Sequence, residues 1–132
     1  MNLINKFLEE SKKDKLDSDK TIAIDLDGVI HSYDKGWQDG SIYGIPISGT
    51  EEALKRLKSR FKRIIIFTCR TRKDQPLIHG KSQIDLIWEW LKKYELDKYI
   101  SQITSEKPMA SFYIDDHGIK FNSWQQTLRD IK

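Results

Sequence analysis

Four acidic side chains, one hydroxyl and one ammonium sit at positions in this sequence where they could act together. The acids come in two pairs, Asp25-Leu26-Asp27-Gly28 and Asp115-Asp116, each at the end of an apolar run. Thr68 closes a third apolar run, RIIIF, and Lys107 precedes the last one within SEKPMASFYIDD. Carboxylates brought together repel one another and resist joint ionisation. A hard divalent cation relieves that repulsion, and oxygen donors of this kind suit Mg²⁺. One acid at the end of a strand could be chance; two separate pairs with Thr and Lys form a pattern.

The surrounding chain alternates the elements needed to carry these residues. TIAIDL (Thr21–Leu26) and RIIIF (Arg63–Phe67) have the continuous apolar character of buried strands, SFYI (Ser111–Ile114) is a third, and 99–104 is a weaker one. Between them lie amphipathic helices: one capped by Thr50 with Ala53, Leu54 and Leu57, one opened by Ser82 with Ile84, Ile87, Trp88 and Leu91 on one face. Ser123 caps a last helix in which Trp124, Leu128 and Ile131 share a face. This alternation predicts an α/β fold with a parallel sheet covered on both sides. In such folds ligands bind beyond the carboxyl ends of the strands, where the acids, Thr68 and Lys107 are expected.

The 132 residues suffice for one domain and not for two ordinary ones. Hydrophobic residues make up 38% and charged residues 33%, but the signs nearly cancel at +3, which argues against wholesale disorder. A pI near 8.9 permits a nucleic-acid partner without demanding one. The single Cys69 excludes an internal disulfide framework and a multi-cysteine zinc site. No apolar run approaches a membrane span and the N-terminus lacks a signal-peptide core, so a soluble, cytoplasmic protein without a membrane partner is expected. The division expected is residues 1–20 as N-terminal helix and linker, 21–121 as core and 122–132 as C-terminal helix.

The set Asp25-x-Asp27-Gly28-Val29, then Thr68, then Lys107, then Asp115-Asp116 resembles, in this order, the four motifs of the haloacid-dehalogenase-like (HAD-like) hydrolase superfamily. The likeness covers roughly residues 21–121 and implies a Rossmann-like three-layer sandwich with a mainly parallel sheet. It also implies phosphate-ester hydrolysis through an aspartyl-phosphate. On that resemblance Asp25 is the nucleophile and Asp27 the acid and base, while Gly28 lets the backbone approach the phosphate. Thr68 bonds a phosphoryl oxygen and Lys107 neutralises charge. Asp25, the Asp27 carbonyl, Asp115 and Asp116 surround Mg²⁺. The second carboxylate, Asp27, favours a phosphatase over a dehalogenase.

Two rivals use similar residues. A phosphorelay receiver has its Lys on the last strand with no acidic pair after it, and here Asp115-Asp116 follows Lys107. A two-metal nuclease needs neither Thr68 nor Lys107 at these places. A third alternative is a catalytically idle phosphate-binding module of the same fold.

Neither the stretch from Asp27 to the helix near Thr50 nor that from Thr68 to Lys107 has room for a folded cap, so an open site is expected. Its substrate would be a phosphorylated small molecule or, alternatively, a nucleotide or nucleic-acid end. Tyr33, Trp37 and Tyr43 in one loop and Arg70, Arg72 and Lys73 in the next could stack a base and hold phosphate. Trp37, Arg70 and His117 are the substrate contacts expected. Equally, the aromatics could only pin their loop. Strand alternation turns Cys69 away from Thr68 into packing. Trp88 is expected in the core and Trp90 outside, free for a subunit contact in an oligomer. The three histidines lack metal-ligand spacing.

Overall fold

A computed structural model describes residues 20–106, 108, 110–114 and 121–131. Of the expected N-terminal helix and linker only Lys20 is among them. The chain runs β1 (Thr21–Ile24), α1 (Thr50–Arg60), β2 (Arg63–Phe67), α2 (Gln83–Lys93), β3 (Gln102–Thr104), β4 (Phe112–Ile114) and α3 (Trp124–Asp130). The four strands form one sheet in the order β3-β2-β1-β4, and every pairing is parallel. Ile24 is in register with Ile66 on one side and with Ile114 on the other. The order reverses between β1 and β4, which puts the fold's ligand crevice beyond their carboxyl ends.

The strands form because their side chains can be buried on both faces. Ile22, Ile24, Ile64 and Ile66 join Ala53, Leu54 and Leu57 of α1, Ile87, Trp90 and Leu91 of α2 and Trp124 of α3 in one cluster. Ala23 and Ile65 alternate with these residues, and both are completely buried. All three described α-helices feed the same cluster, and with the parallel four-stranded sheet they make a small α/β fold.

Several boundaries differ from expectation for local reasons. β1 stops at Ile24 because the Leu26 carbonyl accepts from the Val29, Ile30 and His31 N–H groups, curling the chain into a turn. The segment before β3 opens as a 3-10 turn, Asp97–Tyr99, so only Gln102–Thr104 pairs. Ser82 and Ser123 cap their helices as expected, accepting from the Asp85 and Gln126 N–H groups at 3.2 Å each. Gly49, not Thr50, is the cap of α1. The buried Thr50 hydroxyl instead accepts from Trp124 Nε1 at 3.1 Å and ties α3 to α1.

Helix α2 corrects the assignment of the two tryptophans. Its buried residues are Gln83, Ile87, Trp90 and Leu91, whereas Ile84 is exposed and Trp88 only partly buried. The stripe is rotated because Gln83 and Trp90 find acceptors underneath. Gln83 Nε2 donates to the Gly40 carbonyl at 2.8 Å and Trp90 Nε1 to the Gly44 carbonyl at 2.9 Å. Once its polar edge is satisfied, an indole buries more apolar area than Ile84 would. Among the described residues no helix is long and apolar enough to cross a membrane.

Candidate functional site

Asp25 is the first residue past β1. Its N–H still donates to the Ile114 carbonyl at 3.1 Å, and its Oδ1 accepts from the Leu26 N–H at 2.8 Å. The turn that follows passes through Gly28 at φ +82°, a left-handed conformation glycine adopts without steric cost. A Cβ on Gly28 would meet nothing within 4 Å among the described residues. Thr68 follows β2, is 4% exposed, and its Oγ1 accepts from the Arg70 N–H at 3.3 Å. That bond caps the 3-10 turn Cys69–Thr71. The turn ends strand alternation, which corrects the placement of Cys69: its side chain is exposed, and Arg70 goes inside instead.

The two oxygens of Asp27 are held by separate donors. Oδ2 accepts from Arg70 Nε at 2.6 Å and Oδ1 from His31 Nδ1 at 2.9 Å. His31 is completely buried, with the Tyr43 ring edge-on at 5.0 Å and the Trp90 ring at 5.6 Å. Its Nε2 accepts from the Gly44 N–H at 2.9 Å, which requires a lone pair there and assigns the proton to Nδ1. Burial works to raise the Asp27 pKa, but the hydrogen bonds from His31 and Arg70, with the guanidinium charge, outweigh it and hold the carboxyl below its ordinary value. Sequence spacing missed His31. The available signal was its position four residues after Asp27, across a turn.

Arg70, expected at a phosphate, is instead turned inward, 3% exposed. Besides Asp27 it bonds the Gly40 carbonyl through Nη1 at 3.0 Å. Trp37 and Tyr33 lie over its guanidinium, ring centroids at 5.0 and 5.6 Å. Trp37 is 48% exposed, so the same indole that covers Arg70 also borders solvent. Tyr43 acts as a pin: its hydroxyl donates to the Gly36 carbonyl at 2.8 Å and accepts from the Lys35 N–H at 2.9 Å.

Asp25, Asp27, Gly28 and Thr68 thus stand at one end of the sheet, with Arg70 and Trp37 behind Asp27. Lys107, Asp115, Asp116 and His117 lie outside the described residues. Among the described residues no group of three His, Cys, Asp or Glu side chains is placed to hold a metal. Compared with known proteins, the chain matches no family model, no curated protein and no solved structure.

Proposed function

We propose that the protein is a Mg²⁺-dependent phosphomonoester hydrolase of the HAD-like kind, working through an aspartyl-phosphate on Asp25. One observation carries this reading: Ile24 is in register with both Ile66 and Ile114, so Asp25, Thr68 and the carboxyl end of β4, which the Asp115-Asp116 pair follows in sequence, lie at the same end of the sheet. The motif order supports it as well.

The donors fit the cation in chemical type. Asp25 offers carboxylate oxygen, and Asp115 and Asp116 would complete an oxygen set suited to Mg²⁺. Asp27 Oδ1 is bonded to His31 and Oδ2 to Arg70, so this residue would offer a cation its backbone carbonyl, as the resemblance implies, while each carboxylate oxygen keeps a second lone pair for proton transfer. When bound, Mg²⁺ supplies positive charge against the repulsion between carboxylate and phosphate.

In the first step an Asp25 oxygen bonds to phosphorus as the ester oxygen leaves, taking a proton from Asp27. In the second, Asp27 removes a proton from water, whose oxygen bonds to phosphorus as the acyl-phosphate bond breaks. The clamped Asp27 is ionised at neutral pH, the form the second step needs. For the first step it must gain a proton, from solvent or from a substrate that arrives as its phosphate monoanion, and the charge of the bound phosphate favours that uptake. Thr68 would donate to a phosphoryl oxygen, Gly28 would allow close backbone approach, and Lys107 would neutralise charge. Arg70 enters this reading as the holder of Asp27.

A half-exposed Trp37 over Arg70, the partner of Asp27, favours a second reading, in which the substrate is a nucleotide or a nucleic-acid end. The test is Mg²⁺-dependent phosphate release from phosphorylated metabolites, nucleotides and phosphate-ended oligonucleotides, with Asp25→Asn as control. Turnover lost in Asp25→Asn supports the hydrolase, and selective turnover of base-bearing substrates supports the second reading. Binding without turnover would leave the idle module.

A further inference from the structure

The side chains that hold Asp27 also hold the loop of residues 32–44. His31 bonds Asp27 Oδ1 through Nδ1 and the Gly44 N–H through Nε2. Arg70 bonds Asp27 Oδ2 through Nε and the Gly40 carbonyl through Nη1. Each carboxylate oxygen is therefore one buried side chain away from a loop glycine. We propose that His31 and Arg70 are positioning residues that couple the seating of loop 32–44 to the orientation of the Asp27 carboxylate.

The coupling follows from the cost of burial. A guanidinium 3% exposed needs its anion and its carbonyl acceptors together. Removing the Asp27 charge leaves a buried cation that must move toward water. Asp27 belongs to the turn at the end of β1, and Arg70 to the capped turn after β2, so both are anchored to the sheet. The loop has no strand pairing within 32–44; apart from His31 and Arg70 it is held from α2, where Gln83 and Trp90 bond the Gly40 and Gly44 carbonyls, so it is the part that can shift while the two sheet-anchored turns stay. The reverse direction runs through Gly44. A Cβ there would collide with Ser32 Oγ and His31 Nε2, pushing the imidazole toward Asp27 or off the glycine. Linkage makes the two directions one free energy. The loop thereby becomes the wall of an uncapped site, and Trp37, stacked on Arg70, is its solvent-facing part.

The role given to Asp27 rests on the hydrolase reading, but the coupling can be read without turnover. In the full chain, Asp27→Asn should speed hydrogen exchange at the Lys35 and Gly44 amides about tenfold or more, while Ile22–Ile24 and Ile64–Ile66 stay protected. Gly44→Ala, and Trp90→Phe as a variant that adds no atom, should both loosen the clamp from the loop side, read by NMR at fixed pH as several-fold faster solvent exchange of the Arg70 Nε–H that bonds Asp27. If phosphatase activity is found, kcat should fall in the same two variants while KM changes little. Loop exchange unchanged in Asp27→Asn, or Arg70 Nε–H exchange unmoved in both loop variants, overturns the coupling. Both effects in a protein inactive on every phosphoester would keep the coupling and discard the hydrolase.

Discussion

Ile24 lies opposite Ile114 in the parallel ladder, and the Asp25 N–H reaches across to the Ile114 carbonyl. A chain leaving β4 after Ile114 therefore starts beside Asp25. Under the hydrolase reading, Asp25→Asn keeps the shape, loses the charge, and should lower kcat by roughly 10³-fold or more, with the thermal midpoint near wild type. Excess chelator should abolish turnover and Mg²⁺ restore it. Steady-state rates on an aryl phosphate check both; full activity in chelator would remove the cation from the mechanism.

Asp27→Asn should separate the two chemical steps. A good leaving group needs little protonation, so Asp25 can still be phosphorylated, whereas attack by water still needs a base. The intermediate should accumulate and appear after acid quench as a phosphate adduct on the peptide containing TIAIDLDGVI. The adduct should be missing in Asp25→Asn. No adduct together with unchanged turnover in Asp27→Asn would end the assignment of acid–base work to this residue.

The Asp27–Arg70 pair should make stability depend on acid. The Asp27 pKa is lowered in the fold, so its contribution is present above the unfolded value and lost as pH falls through the folded one. Arg70→Gln leaves a partly buried carboxylate without its cation and should cost about 1–3 kcal/mol near neutrality. That deficit should narrow in acid below the ordinary carboxylate range, as the wild type loses the same interaction. Urea denaturation at the two pH values measures it, and a deficit that is constant or grows in acid would contradict the pairing.

The two tryptophans of α2 should respond unequally. Trp90→Phe removes the bond to the Gly44 carbonyl and part of the packing on His31, and should destabilise by about 1–2 kcal/mol. Trp88→Phe, at a partly buried position, should stay within about 0.5 kcal/mol. Chemical denaturation of the pair would show the larger loss at Trp88 if the helix were rotated the other way.

Strand β2 was legible residue for residue in RIIIF, and Ser82 and Ser123 announced their helices through cap chemistry that acts over three residues. Such signals are local, so a sequence can carry them alone. The same holds for the positions of Asp25, Asp27, Thr68 and the glycine turn: strand ends are written into where an apolar run stops. Hydropathy misjudged Trp88 and Trp90 because an indole is ambivalent until its N–H has an acceptor. That acceptor, the Gly44 carbonyl, lies 46 residues away. Strand alternation likewise misplaced Cys69, since a 3-10 turn begins there.

By itself, then, the sequence determined the alternating α/β architecture and the set of oxygen-bearing residues expected at one end of its sheet. Both depend on periodicity and on neighbours along the chain. What only the tertiary structure decided was the use of Arg70 and His31. A cation two residues after Thr68 is as well suited to a phosphate as to a carboxylate, and nothing local distinguishes them. The choice was made by burial: Arg70 sits where Asp27, 43 residues away, and the Gly40 carbonyl can both receive its protons, and Trp37 closes over it. Such a contact between distant segments exists only once the sheet has brought them together.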